Sequence, residues 1–190
     1  MVNSVELVIF DLDGTLIHLP INYDKLRNEI AKILKIENIN SILKALSNLD
    51  EKTQTRIFDV WSKLEFEALP NMVKIAEGIK LYNSFQHTPK CLVTLQGRPV
   101  VTEILKRIGL HFDHIVTRED SLIRSRQIKM VIERFKVKPN KVLVIGDRES
   151  DRKAAEENGC NFIFVWKKNV KFQLLGNNQR EGEAIGNGGS

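Results

Sequence analysis

Asp11 and Asp13, with Leu12 between them, follow a short apolar run and precede Gly14-Thr15. In extended chain, residues two apart point the same way, so both carboxylates share one face while Leu12 turns to the core. Gly14 permits a sharp turn directly after them. Two further aspartates lie in Gly146-Asp147-Arg148-Glu149-Ser150-Asp151, again after an apolar run. Thr94 stands near the end of another run and is followed by Leu95-Gln96-Gly97-Arg98. Carboxylates gathered in such number repel one another, and without compensation some take up protons. A hard divalent cation relieves this: Mg²⁺ accepts a few carboxylate oxygens and keeps water or phosphate oxygens as its other ligands. It also lets an anionic substrate approach an anionic nucleophile. A carboxylate can attack phosphorus to give an aspartyl phosphate. A second one can protonate the leaving oxygen and later deprotonate water. The expected chemistry is Mg²⁺-assisted phosphoryl transfer. The Thr94 hydroxyl, the N–H groups after it and the start of the next helix are suited to hold the phosphate.

Residues so far apart in sequence meet only if the fold gathers them. Five apolar, β-branched-rich runs are expected as strands: Val5–Phe10, Lys90–Leu95, His114–Thr117, Val142–Ile145 and Phe162–Trp166. Most are near-continuous rather than alternating, the pattern of parallel strands buried on both faces. Helical patterns separate the later runs. Pro99 opens one helix and Gly109 closes it. Ile128, Val131, Ile132 and Phe135 mark a second, and a third runs from about Ser150 to Asn158 and stops at Gly159. The expected fold is α/β, a doubly wound parallel sheet of Rossmann-like kind. In such a sheet the carboxyl ends of the strands share one edge, where ligands bind. Asp11, Asp13, Thr94, Asp147 and Asp151 are therefore expected to converge.

Between the first two runs the chain reads differently. Residues 18–76 are almost wholly helical in pattern, with Tyr23–Leu34 and Glu51–Leu69 as the main helices and Pro70 ending the second. This is too long for a crossover and is expected as a helical cap inserted into the core. The core is then 1–17 and 77–175, with a helix over Glu77–Phe85 leading back to the sheet. Trp61, Phe58 and Phe66 are expected in the cap's helical core. Residues 176–190 hold five of the eleven glycines and are expected to be a disordered tail.

The sequence Asp11-Leu12-Asp13-Gly14-Thr15 after a buried strand resembles the first signature of the haloacid dehalogenase-like (HAD) hydrolase superfamily. Val93-Thr94 resembles its second and Gly146-Asp147 with Asp151 its fourth, in the right order across about residues 5 to 168. The resemblance implies a phosphoglycolate phosphatase-like enzyme whose small helical cap closes over the site. It implies Asp11 as nucleophile and metal ligand, and Asp13 as acid/base with its backbone carbonyl on the metal. It implies Thr94 on the phosphoryl group, Asp147 as a further metal contact, and Asp151 on metal-bound water or orienting its neighbours. The family's third signature is a Lys, often Lys-Pro, and no Lys-Pro stands there. Arg124 is the favoured replacement, with Lys129 and Arg126 as the other candidates; a guanidinium fork differs from an ammonium point charge. Leu95 also replaces the usual Asn after Thr94.

Alternatives follow from the same residues. A sugar phosphomutase would return the phosphoryl group. A dehalogenase would need neither Asp13 nor metal. A receiver-type phosphoacceptor would use a middle-strand acid, here Asp120, and a binding or scaffold protein would not turn over. Composition narrows the partners. A net charge of +5 suits an anionic substrate, but the basic residues are interleaved with acids, so nucleic-acid binding is not expected. The expected partner is a small phosphorylated metabolite. No run is long enough to span a bilayer and no leader is evident, so the expected location is cytoplasmic. Cys91 and Cys160 form no framework and read as small buried hydrophobes. His18, just past the first motif, is a candidate for the cap entrance; His87, His111 and His114 have no ligand spacing.

Overall fold

The structure, a computed structural model, describes residues 5–165. Trp166 and the expected tail at 176–190 lie outside the described residues. Five parallel strands form the main sheet: β1 (Leu7–Phe10), β4 (Lys90–Val93), β5 (His114–Val116), β6 (Val142–Gly146) and β7 (Asn161–Phe164). Their order is β5-β4-β1-β6-β7. The chain moves outward from β1 through β4 to β5, then returns to the other side of β1 with β6 and β7. The reversal falls between β1 and β6, which makes their carboxyl ends the switch point of the fold.

The sheet is covered on both faces. Every residue of β1 is buried, and the pleat divides them. Val8 and Phe10 pack with Val100 and Ile104 of α5 (Arg98–Ile108). Leu7 and Ile9 pack with Ile128 and Val131 of α6 (Arg124–Phe135) and Ala154 and Ala155 of α7 (Glu149–Glu157). Strand β7 at the sheet edge instead alternates between exposed and half-buried residues. Helix α5 stops at Gly109, whose φ of 71° is left-handed, a conformation glycine takes without steric cost.

The segment after β1 departs from the sheet. Short strands β2 (Ile17–His18) and β3 (Val73–Lys74) pair antiparallel, and between them run α1 (Tyr23–Leu34), α2 (Ile42–Leu46) and α3 (Glu51–Ala68). Asn22 and Asp50 cap α1 and α3, accepting from Lys25 N–H at 2.8 Å and Thr53 N–H at 2.9 Å, which satisfies N–H groups that helix starts leave without partners. Leu26, Ile30, Ile57 and Leu64 are buried in the same cluster as the Val8 face, so this helical insert and the sheet share a continuous core. Phe66 departs from the expected helix core: it is an exposed large side chain of α3, whereas Trp61 is buried. Helix α4 (Ala76–Ser84) returns the chain to β4. Among the described residues no helix is long and apolar enough to cross a membrane.

Candidate active site

Asp11, Thr94 and Asp147 each stand one residue beyond a parallel strand, β1, β4 and β6 respectively. Two of them continue the ladder by one more bond. Asp11 N–H donates to the Ile145 carbonyl at 2.9 Å and Thr94 N–H to the Val116 carbonyl at 3.0 Å. The sheet therefore delivers these side chains to one edge with little freedom. Carboxylate oxygens of Asp11, Asp147 and Asp151 lie within 4.8 Å of one another. Asp151 arrives from the third position of α7, where its Oδ2 accepts from Arg148 N–H at 3.2 Å; a carboxylate there also suits the positive helix start.

Two glycines make room for the acids. Gly14 has φ of +95°, and a Cβ there would stand 2.3 Å from Asp147 Oδ2. A Cβ on Gly146 would stand 2.8 Å from Asp151 Oδ2. Asp13 follows the same turn. Its Oδ1 accepts from Leu19 N–H at 2.9 Å, and His18 Nδ1 is 3.9 Å away. His18 itself does not line the cavity described below.

Of the three candidate cations, Arg124, the first residue of α6, is the one that reaches this cluster. Its Nη2 donates to Asp11 Oδ1 at 2.7 Å, its Nε lies 3.1 Å from Asp151 Oδ1, and its Nη1 donates to the Val93 carbonyl at 2.6 Å. Arg126 and Lys129 do not join it. Lys129 is exposed, with Nζ 3.9 Å from Glu133 Oε1, and both residues line a separate surface groove between α6 and α7. Asp120 is also elsewhere, pairing with Arg98 and accepting from Thr117 N–H at 2.8 Å.

Arg124 and Arg148, whose Nε lies 3.8 Å from Asp147 Oδ1, stand against Asp11, Asp147, Asp151 and the neighbouring Asp13, so the acids outnumber the cations. Asp11 shows the consequence, its carboxyl pushed up to about 7. Burial is the main cause; Asp151, Asp147 and Asp13 add to it and Arg124 opposes it. The donor set is made of carboxylate oxygens alone, which fits a hard divalent cation held by Asp11, Asp147 and Asp151.

Above the acids lies a cavity of about 250 Å³, lined by Asp11, Asp13, Thr94 and Arg124 from the core and by Tyr23, Ile42, Leu43, Trp61 and Glu65 from the insert. Arg148 also reaches it. The Thr94 hydroxyl donates to Gln96 Oε1 at 2.7 Å and accepts from Gln96 N–H at 3.2 Å, closing a tight loop at the cavity wall.

Sequence reasoning missed three buried polar residues here. Gln127, one turn after Arg124, donates to the carbonyls of Thr94, Thr117 and Ser121 at 2.9, 3.1 and 2.8 Å. Arg118 and Glu65 form an ion pair at 2.6 Å with both side chains fully buried. A signal existed for two of them. Glu65 falls on the apolar face of α3 defined by Ile57, Trp61, Leu64 and Ala68, and Arg118 stands past a strand end at the same edge as Asp11.

The fold and the acidic cluster at its switch point define an α/β enzyme core with a helical insert. The haloacid dehalogenase-like hydrolase family matches residues 20–165, and this chain belongs to it. The matched stretch begins after Asp11–Thr15, so the placement of that motif rests on the geometry above. Among solved structures, a haloacid dehalogenase-like family hydrolase from Streptococcus pneumoniae is 17% identical, with a TM-score of 0.61 over 86% of this chain and 85% of that one. A predicted phosphatase from Clostridium acetobutylicum is 20% identical, at 0.59 over 85% of each chain. CbbY from Rhodobacter sphaeroides, in complex with phosphate, is 14% identical, at 0.63 over 85% of this chain and 86% of that one. Identities this low speak to the fold alone. No curated protein matches the chain.

Proposed function

We propose that this chain is a Mg²⁺-dependent phosphatase that hydrolyses small phosphate monoesters through an aspartyl phosphate on Asp11. The observation that carries the reading is the meeting of Asp11, Asp147 and Asp151 with Arg124 beneath one cavity. Asp11 attacks phosphorus and the ester oxygen leaves; Asp13 gives that oxygen a proton. Asp13 then takes a proton from water, which attacks the phosphoenzyme and frees phosphate and Asp11. Arg124 favours the ionised nucleophile against its burial and holds phosphoryl oxygens. Thr94 binds the same group, its hydroxyl turning from Gln96. Asp11, Asp147 and Asp151, with the Asp13 carbonyl, would hold Mg²⁺, which when bound offsets the charge of the phosphate.

The helical insert is the lid and selects the substrate. A cavity of about 250 Å³ is below the usual range for drug-sized ligands, which favours a small phosphorylated metabolite. The phosphate bound to CbbY, which shares the fold, is in keeping with this. The test is release of inorganic phosphate from a panel of monoesters, p-nitrophenyl phosphate included, with and without Mg²⁺. Mg²⁺-dependent release is expected. Absence of release across the panel would sink the reading, and retention of the phosphoryl group on a sugar product would make the chain a mutase.

A further inference from the structure

Arg118 and Glu65 lie outside the acidic cluster, yet both touch the loop that leads into it. Their side chains are wholly buried and meet at 2.6 Å. Joining two surfaces by removing two charges from water is often no more stable than an apolar contact of the same shape. The pair's other hydrogen bonds show what an apolar contact would not do. Glu65 Oε2 accepts from Gly97 N–H at 3.2 Å, and Arg118 Nη1 donates to the Leu95 carbonyl at 3.2 Å. The segment between Thr94 and α5 is thus held at both ends by opposite charges.

The same pair fastens this segment to the insert. Arg118 Nη2 donates to Ser62 Oγ at 2.7 Å and to the Phe58 carbonyl at 3.3 Å, both on α3. Its guanidinium lies 4.7 Å from the Trp61 ring centre and 5.4 Å from that of Phe58, within cation–π range. Gly97 completes the fit, since a Cβ there would stand 2.5 Å from Arg118 Nη2 and 2.7 Å from Ser62 Oγ. Glu65 and Trp61 line the cavity on their other side.

We propose that Glu65 and Arg118 are positioning residues for the Thr94–Gly97 loop, which takes its phosphate-binding shape only when α3 of the insert is seated on it. The proposal rests on the phosphatase reading of the site. The pair acts through the loop and does not touch the phosphoryl group. It makes seating of the insert and assembly of the phosphate site a single event.

The test uses the full chain with Mg²⁺ and inorganic phosphate as the probe, followed by calorimetry, beside kcat and KM for p-nitrophenyl phosphate. Glu65→Gln keeps the shape but leaves Arg118 without its counter-charge, so both Tm and phosphate affinity fall. The double variant Glu65→Gln/Arg118→Met removes both charges. Its Tm is expected to return towards wild type, while Kd for phosphate and KM stay raised about tenfold or more, as the loss of charged hydrogen bonds predicts; kcat changes less. Recovery of phosphate Kd together with Tm in the double variant would show a merely structural pair and overturn the proposal. So would a folded single variant that binds phosphate within about twofold of wild type. A wild-type chain that binds phosphate but hydrolyses no monoester would remove the phosphatase reading, and the variants' Kd would still decide this one. Absence of phosphate binding by the wild type would overturn both.

Discussion

Arg124 Nη2 stands 2.7 Å from Asp11 Oδ1, joining the start of α6 to the end of β1 across 113 positions of sequence. The same planar fork reaches Asp151 through Nε and the Val93 carbonyl through Nη1. Three donors in one rigid group therefore fix Asp11, the start of α7 and the end of β4 relative to one another. An ammonium group has one centre and a flexible stem, and holds such a set less well.

Arg124→Ala is accordingly expected to lower kcat/KM for a phosphate monoester by on the order of a hundredfold or more, the scale set by removing a donor to the reacting group. Arg124→Lys keeps a charge but not the fork, and should recover only part of this. Lys129→Ala should leave both kcat and KM near wild type. Loss of activity in the Lys129 variant with Arg124 intact would refute the assignment.

On the proposed mechanism, Asp11→Asn removes the nucleophile while keeping its shape. Turnover should disappear, and no phosphoenzyme should form. The fold should remain, because the Asn oxygen accepts from Arg124 while its amide N–H donates to the Thr15 hydroxyl, whose bond to Asp11 it reverses, and no buried charge is left. Circular dichroism and a phosphate-release assay decide this; residual Mg²⁺-dependent turnover in a clean preparation of the variant would move the nucleophile elsewhere.

Much of this site was legible because a parallel sheet sends every strand end to one edge. Asp11, Thr94 and Asp147 needed only that rule. The cation was harder. Arg124, Arg126 and Lys129 all lie in α6, but two or five steps along a helix turn a side chain through about 200° or 140°, so only one of the three can face Asp11. The helical period alone does not say which; position relative to the family's third signature favours Arg124. Arg118 and Glu65 are 53 positions apart, and their partnership depends on where the insert packs, which no local period records. Strands β2 and β3, two residues each, are too short to show alternation, and the five-residue α2 is too short for a helical stripe.

The raised pKa of Asp11 makes stability depend on pH in a particular direction. A carboxyl at about 7 in the folded chain against ~3.9 when unfolded binds its proton more tightly when folded. Its contribution is thus fully present below the unfolded value and is lost as pH rises through about 7. Glu65, also raised by burial, adds to the trend. Glu29, Asp50 and Glu67 are lowered by their hydrogen bonds and act in the opposite sense at lower pH. The metal-free chain should therefore lose Tm between about pH 5 and 7.5, and Asp11→Asn should reduce the slope. Mg²⁺ should reverse it, because a metal binds the ionised acids and stabilises most where they are deprotonated. A metal-free Tm that rises over this window would contradict the shift.

Gly14 offers a test of the acidic cluster that leaves every carboxylate in place. Its φ of +95° is one that residues with a Cβ rarely adopt, and the added carbon would stand 2.3 Å from Asp147 Oδ2. Gly14→Ala must therefore strain the turn or push Asp147 away from Asp11 and Asp151. Strain of this kind costs ~1–3 kcal/mol, a loss readable as a lower denaturant midpoint. The displaced acid should weaken Mg²⁺, seen as a higher concentration of Mg²⁺ for half-maximal activity and a smaller gain in Tm on adding the ion. Asp147→Asn should share the metal defect without the backbone strain, so its metal-free stability should exceed that of Gly14→Ala. If Asp147→Asn binds Mg²⁺ as wild type does, Asp147 is not a ligand.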